Sequence, residues 1–168
     1  MKTSSGPLYS VEKMSPVGRL TLVASDEGLR AVLWPDDDRV ELGAETLDGR
    51  GHPILAGAAA QLDEYFQGRR TSFDLPLDLR GTEFQVAVWQ SLADIPFGAT
   101  SSYGTQAEAV GRPRAVRAVG AANGRNPVSI VLPCHRVVGK DGSLTGFAGG
   151  LDAKRFLLDH EASVAAAH

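Results

Sequence analysis

The chain has a single cysteine, Cys134, among its 168 residues. One thiol excludes an internal disulfide framework and any metal site built from several thiolates, and it suits a reducing compartment, so a cytoplasmic location is expected. No stretch approaches the roughly 20 apolar residues that a membrane span requires. The opening MKTSSGPLYSVEKM lacks the apolar run and small-residue cleavage site of an export signal. A soluble, unexported chain with no membrane partner is therefore expected. Internal repeats and the glycine fingerprint of dinucleotide binding are missing too. Acidic residues are absent between Glu108 and Asp141, a gap that holds Arg112, Arg114, Arg117, Arg125, Arg136 and Lys140.

That gap changes the meaning of the net charge. At −3 overall the chain does not look like a partner for a polyanion. Residues 1–79, however, carry eight basic against thirteen acidic side chains, a balance of −5, and residues 80–168 carry nine against seven, a balance of +2. The second half is where phosphates would find a favourable field. With 43% hydrophobic and 22% charged residues, there is enough apolar material for one large domain or two small ones.

Leu20–Ser25 and Leu29–Trp34, separated by Asp26-Glu27-Gly28, read as a β-hairpin. Leu55, Ala59, Leu62 and Phe66 fall near helical spacing and predict an amphipathic helix over 53–67 that stops at Gly68. The shift in charge near Gly81-Thr82 sets a domain boundary there, with a β-rich domain over 1–80 and a second domain over 81–168. In the second, Thr82 is a candidate N-cap for a helix carrying Phe84, Val88 and Leu92. Two further helices follow in close succession, Ser102–Val110 and Pro113–Ala122, joined across a three- or four-residue turn. This is the outline of a helix-turn-helix, with Arg114 and Arg117 projecting from a second helix otherwise rich in small residues. Val128–Pro133 reads as a buried extended run delivering Cys134, Asp141-Gly142 as a turn, and Thr145–Gly150 as a glycine-rich loop. A last helix, from about Leu151 to Glu161 and capped by Asp152, closes the chain.

Cys134 sits in Pro-Cys-His-Arg-Val, between a residue that fixes the backbone and two potential cations, His135 and Arg136. An ordinary thiol is only a few per cent ionised near neutral pH, so a nucleophilic role needs a base or a positive field. Adjacent side chains in extended backbone face opposite ways, which points to a water between Cys134 and His135 rather than direct contact. The imidazole then needs an orienting carboxylate, and Asp159 and Glu161 are both available.

Pro-Cys-His-Arg-Val, together with Arg117-Ala-Val-Gly120, Asn126-Pro127, Ile95-Pro-Phe-Gly98 and Ser102-Tyr103, resembles the O6-alkylguanine-DNA alkyltransferase family in spacing and order over about residues 82–161. The resemblance implies an α+β fold: a small β-sheet N-terminal domain with a helix, then a mostly helical, winged-helix-like C-terminal domain. It implies that Cys134 accepts an alkyl group from O6 of guanine in double-stranded DNA, once per molecule, after the base is flipped. It places the water-mediated base at His135, the supporting carboxylate at Glu161, a phenolic donor to the departing base at Tyr103, and a hinge at Asn126. Arg117 would fill the stack, and Ala118 and Ala122, with Gly104 and Tyr103, would lie close to the minor groove. Arg112, Arg114 and Lys140 would meet phosphates, while Val137, Phe147, Ala148 and Gly149 would line the base pocket. No cofactor is implied. The expected partner is damaged duplex DNA met by a monomer, with cooperative loading along the duplex left open.

Three departures qualify the match. A single cysteine cannot form the cysteine-rich zinc site of some relatives, so no metal is expected. Phe147 stands where some members carry a hydroxylated aromatic, and Asn123 where others can place a larger apolar side chain near the DNA stack. Rival readings are a lesion-binding protein without an acceptor, which Cys134 opposes, a cysteine hydrolase, which the arginine-rich stretch opposes, and a transcriptional regulator acting without covalent modification.

Overall fold

The structure is a computed structural model that describes residues 6–167. Two compact units divide the chain, the first ending at Leu79 and the second beginning at Arg80. The architecture is α+β.

The first unit is a four-stranded sheet with one helix. Strands β1 (Leu8–Ser15), β2 (Gly18–Ala24), β3 (Leu29–Leu33) and β4 (Thr46–Asp48) lie in the order β3-β2-β1-β4. The β2–β3 hairpin is the one expected from the two apolar runs, and β1 pairs antiparallel with β2 and parallel with β4. Alternation divides the sheet into two faces. On one, Leu8, Val23 and Ala31 are covered by Val40 and Leu42 of the following loop. Leu20 faces the other way beside its cross-strand partner Lys13, and the Lys13–Asp63 ion pair at 2.5 Å puts helix α1 (Pro53–Phe66) on that side. The helix lies where its periodicity suggests, but it buries Leu55, Ala58, Leu62 and Tyr65. Ala59 and Phe66, expected on that face, are only half-buried because the apolar stripe runs one residue earlier.

The second unit opens with helix α2 (Glu83–Ser91), whose N-terminus is held by a reciprocal capping box between Thr82 and Gln85. A 3-10 turn over Leu92–Asp94 leads to the short strand β5 (Ser101–Ser102), then helix α3 (Tyr103–Ala109) capped by the Ser102 hydroxyl, and helix α4 (Val116–Gly124). Val88, Ala107, Val119 and Ala122 form the core between these helices. Trp89 Nε1 donates to the Ala122 carbonyl at 2.7 Å, and Gln106 and Asn123 exchange both amide hydrogen bonds at 3.0 and 2.7 Å. Strand β6 (Val137–Val138) pairs parallel with β5, and helix α5 (Leu151–Ala166) packs on the turn before β6. Among the described residues no helix is long and apolar enough to cross a membrane.

Three expectations need correction. Pro113 does not open α4. It sits in a turn closed by Ala115 N donating to Arg112 O at 2.9 Å, a position its fixed φ favours, so the α3–α4 connection is longer than expected. Val128–Pro133 is no strand: Leu132 N donates to Val128 O at 3.0 Å and Ile130 adopts φ 75°, folding the segment into a buried turn. Asp152 does not cap α5. Gly150, at φ 90°, occupies the N-cap without a side-chain bond, Asp152 lies in the first turn, and the helix continues past Glu161 to Ala166.

Candidate active site

Asn126 shapes the backbone that carries the thiol. Fully buried, it donates from Nδ2 to Leu132 O at 2.9 Å and accepts at Oδ1 from Val128 N at 3.1 Å, so both ends of one amide clip the turn shut. The clip holds Ile130, a β-branched residue, in the left-handed region, a conformation that costs about 1–3 kcal/mol. Cys134, buried at 7% exposure, then begins a 3-10 turn (Cys134–Arg136) instead of lying in a strand. Successive side chains in such a turn diverge by about 120°, so the alternation of an extended chain does not govern where His135 points.

His135 is sealed from solvent and donates from Nε2 to Glu161 Oε2 at 2.7 Å. The same carboxylate receives Arg136 through Nε at 2.8 Å and Nη2 at 3.0 Å, a bidentate fork. Ile95-Pro-Phe-Gly98 wraps this pair: Ile95 O accepts from Arg136 Nη1 at 2.7 Å, the Phe97 ring lies 5.5 Å from the guanidinium, and Gly98 N donates to Glu161 Oε1 at 3.4 Å. Gly98 has φ 81°, and a Cβ there would come within 2.9 Å of Ala165 Cβ, so the position demands glycine.

Burial holds the His135 pKa below its ordinary value, opposed by the hydrogen bond and charge of Glu161 and reinforced by the cations Arg136 and Lys154. The ring is thus neutral near pH 7. Its bond to Glu161 assigns the proton to Nε2, which leaves the lone pair on Nδ1. Nδ1 is buried and has no hydrogen-bond partner among the described residues. A neutral imidazole with an unused lone pair, adjacent in the chain to a thiol, is equipped to accept a proton.

Lys154 lies inside, at 1% exposure, donating from Nζ to Val137 O at 2.8 Å and Thr145 O at 3.1 Å. Burial lowers its pKa and the charge of a Cys134 thiolate draws it back up. Among the described residues no carboxylate pairs with Lys154, so its charge stays available to a nearby anion. Arg136, expected to favour the thiolate, is instead neutralised by Glu161. At the opposite side of the loop, Tyr103 Oη and Thr145 Oγ1 are 2.5 Å apart. Tyr103, Gly104, Val116 and Lys140 border a depression of about 490 Å³.

Residues 83–163 match the family model described as 6-O-methylguanine DNA methyltransferase, DNA binding domain, and residues 8–79 match that of the same family's ribonuclease-like domain. The chain belongs to the 6-O-methylguanine DNA methyltransferase family. The methylated-DNA–protein-cysteine methyltransferase of Mycobacterium bovis is 55% identical over 153 residues, 91% of this chain and 92% of that protein. Its counterpart from Methanosarcina barkeri is 46% identical over 148 residues, 88% of this chain and 92% of the other. The crystal structure of Mycobacterium tuberculosis OGT in complex with DNA matches with a TM-score of 0.82 at 43% identity, covering 94% of this chain and 93% of that one.

In this methyltransferase Arg112, Arg114, Arg117, Ala118 and Lys140 are exposed, and Gly104 is half-buried in the first turn of α3. Ala122 cannot meet a groove, because it is 3% exposed in the helix core. Asn123 turns inward to Gln106, where an amide pair does the work of an apolar contact, and does not face a DNA stack. Val137 is buried and Phe147, Ala148 and Gly149 are half-buried; none of the four borders the depression at Tyr103. Of the two candidate carboxylates, Glu161 meets His135 and Asp159 is exposed. His160 stacks on Phe156 with ring centroids 6.2 Å apart.

No sequence motif points to Gln106 or the Thr145 hydroxyl. Lys154 does carry a signal, because Lys154, Leu157 and Glu161 recur at i, i+3, i+7 on the buried face of α5.

Proposed function

We propose that Cys134 takes the alkyl group from O6 of guanine in double-stranded DNA in one irreversible transfer per molecule. The buried, partnerless Nδ1 of His135, next in the chain to the only cysteine, carries this reading. A water would pass the thiol proton to Nδ1, and Glu161 would stabilise the imidazolium that forms. Lys154 would favour the thiolate. The sulfur then attacks the alkyl carbon, the S–C bond forms as the C–O6 bond breaks, and the bonding pair leaves on the guanine. Guanine gains one proton as the thiol loses one, and Tyr103 donates a hydrogen bond to the departing base. A thioether is a poor leaving group, so the alkyl group stays on sulfur and neither cofactor nor metal is required.

The target lies inside the duplex, so the nucleotide must rotate out, at a cost of a few kcal/mol. Arg117, exposed on α4, would fill the gap, with Ala118 letting the helix approach the minor groove. Arg112, Arg114 and Lys140 would hold phosphates. Asn126 would keep the turn rigid between α4 and the thiol, and the half-buried Phe147, Ala148 and Gly149 would line the base site, with Val137 buried behind it. The complex of the mycobacterial OGT with DNA supports DNA binding. We assign DNA binding and alkyl acceptance to residues 81–168 and a separate β-rich domain to 1–80. The protein would act as a monomer in the cytoplasm, where a lone acceptor thiol stays reduced.

Titration with duplex carrying one O6-methylguanine tests the proposal. The expected result is consumption that levels off at one lesion per protein molecule, with none for Cys134→Ser. Continued turnover would contradict it.

A further inference from the structure

We propose that Thr145 is a positioning residue that supplies a hydrogen bond to the Tyr103 oxygen while Tyr103 turns its own proton to the departing base. This rests on the reading that Tyr103 is a donor to that base. Tyr103 begins α3 just after the Ser102 cap, and its ring packs on the helix core. Its hydroxyl is held at its tip by Thr145 Oγ1, 2.5 Å away. Thr145 is fixed through its main chain, because its carbonyl accepts from Lys154 Nζ at 3.1 Å and the same ammonium holds Val137 O at 2.8 Å. Val137 directly follows the turn that carries Cys134. The pair of hydroxyls is thus tied to the backbone around the thiol by a buried cation.

Two hydroxyls at this distance share one hydrogen bond, and each can serve as donor or acceptor. A phenol is the stronger donor, so in the free protein Tyr103 donates to Thr145. Once the phenolic proton swings to an acceptor on the base, negative charge builds on the Tyr103 oxygen. Rotation of the Thr145 hydroxyl alone then brings a proton to that oxygen, and no heavy atom needs to move. The hydrogen bond survives with its direction reversed, strengthened by the charge on its acceptor. Valine at 145 would keep the shape and the carbonyl held by Lys154 but could not make this exchange, whereas serine could.

The test measures the transfer rate at saturating lesion duplex, the affinity for undamaged duplex, and the melting midpoint for the native chain, Thr145→Val, Thr145→Ser, Tyr103→Phe and the Tyr103→Phe/Thr145→Val double variant. Thr145→Val is expected to slow transfer by roughly threefold to tenfold, the worth of one net hydrogen bond, with affinity unchanged and only a small fall in the melting midpoint from the bond lost in the free protein. Thr145→Ser should restore the native rate. In the Tyr103→Phe background, Thr145→Val should cost nothing more. Three results would overturn the inference: a native rate for Thr145→Val beside a slow Tyr103→Phe, equal slowing by Thr145→Val in both backgrounds, or a Thr145→Ser as slow as the valine variant. A native rate for Tyr103→Phe would instead remove the underlying reading of Tyr103 as donor.

Discussion

His135 and Glu161, 26 residues apart in the chain, meet at 2.7 Å with neither side chain reaching solvent. Glu161 also carries the bidentate fork of Arg136, so one buried carboxylate sets the imidazole tautomer and neutralises a buried guanidinium.

Glu161→Gln should therefore fail twice. It leaves Arg136 buried without a countercharge, a change of about 3–5 kcal/mol in stability, and it weakens the hold on His135. Urea unfolding and single-turnover transfer rates check both effects. Replacing the pair with apolar residues, as in Arg136→Met/Glu161→Leu, should recover much of the stability and none of the transfer. A Glu161→Gln protein as stable and as fast as the native one would contradict the role given to Glu161.

Acid should destabilise the fold through His135. Its folded pKa is held down by burial, below the 6.5 of an ordinary histidine. The unfolded chain thus binds the proton first, and the contribution to stability is intact above about pH 6.5 and lost as pH falls from there toward the lower folded value. Unfolding free energies from about pH 8 to about pH 5, compared with those of His135→Gln, should show this extra slope only on the acid side. A native chain that gains stability relative to His135→Gln across that window would contradict a neutral buried imidazole.

The helices and the site motif were legible because their signals are local. Thr82 and Gln85 are three residues apart, Ser102 stands directly before α3, and the apolar repeat of α1 lies within one segment. Strand β1 was missed because of its eight residues only Leu8 is fully buried, which leaves no alternation to read. The segment 128–132 reads as an extended run because Val and Ile favour such backbone. The clip from Asn126 and the positive φ at Ile130 are tertiary in origin. The fork from Arg136 to Glu161 spans 25 residues, and no local spacing announces it. The inward turn of Asn123 likewise depends on Gln106, 17 residues earlier.

That amide pair makes its own prediction. Gln106→Leu alone strands the Asn123 amide between α3 and α4 and should cost about 1–3 kcal/mol, whereas Gln106→Leu/Asn123→Leu should come back close to the native value. A double-mutant cycle by urea unfolding measures the coupling. Additive losses would show that the two amides act independently.

Arg117 should separate duplex work from chemistry. Arg117→Ala is expected to slow transfer from a lesion in duplex DNA by tenfold or more, given a flipping cost of a few kcal/mol, and to leave the reaction with a free O6-alkylguanine base unchanged. Arg114→Ala and Lys140→Ala should instead weaken undamaged and damaged duplex alike and reduce the salt slope by about one each. Equal loss of both reactions in Arg117→Ala would place Arg117 in the fold, not in the stack.

Peptide mass spectrometry after incubation with duplex DNA carrying one O6-methylguanine tests most directly whether Cys134 is the acceptor. The expected result is one added methyl, on the Cys134 peptide alone, matched mole for mole by loss of the lesion and absent in Cys134→Ala. Lesion loss with an unmodified Cys134 peptide would contradict it.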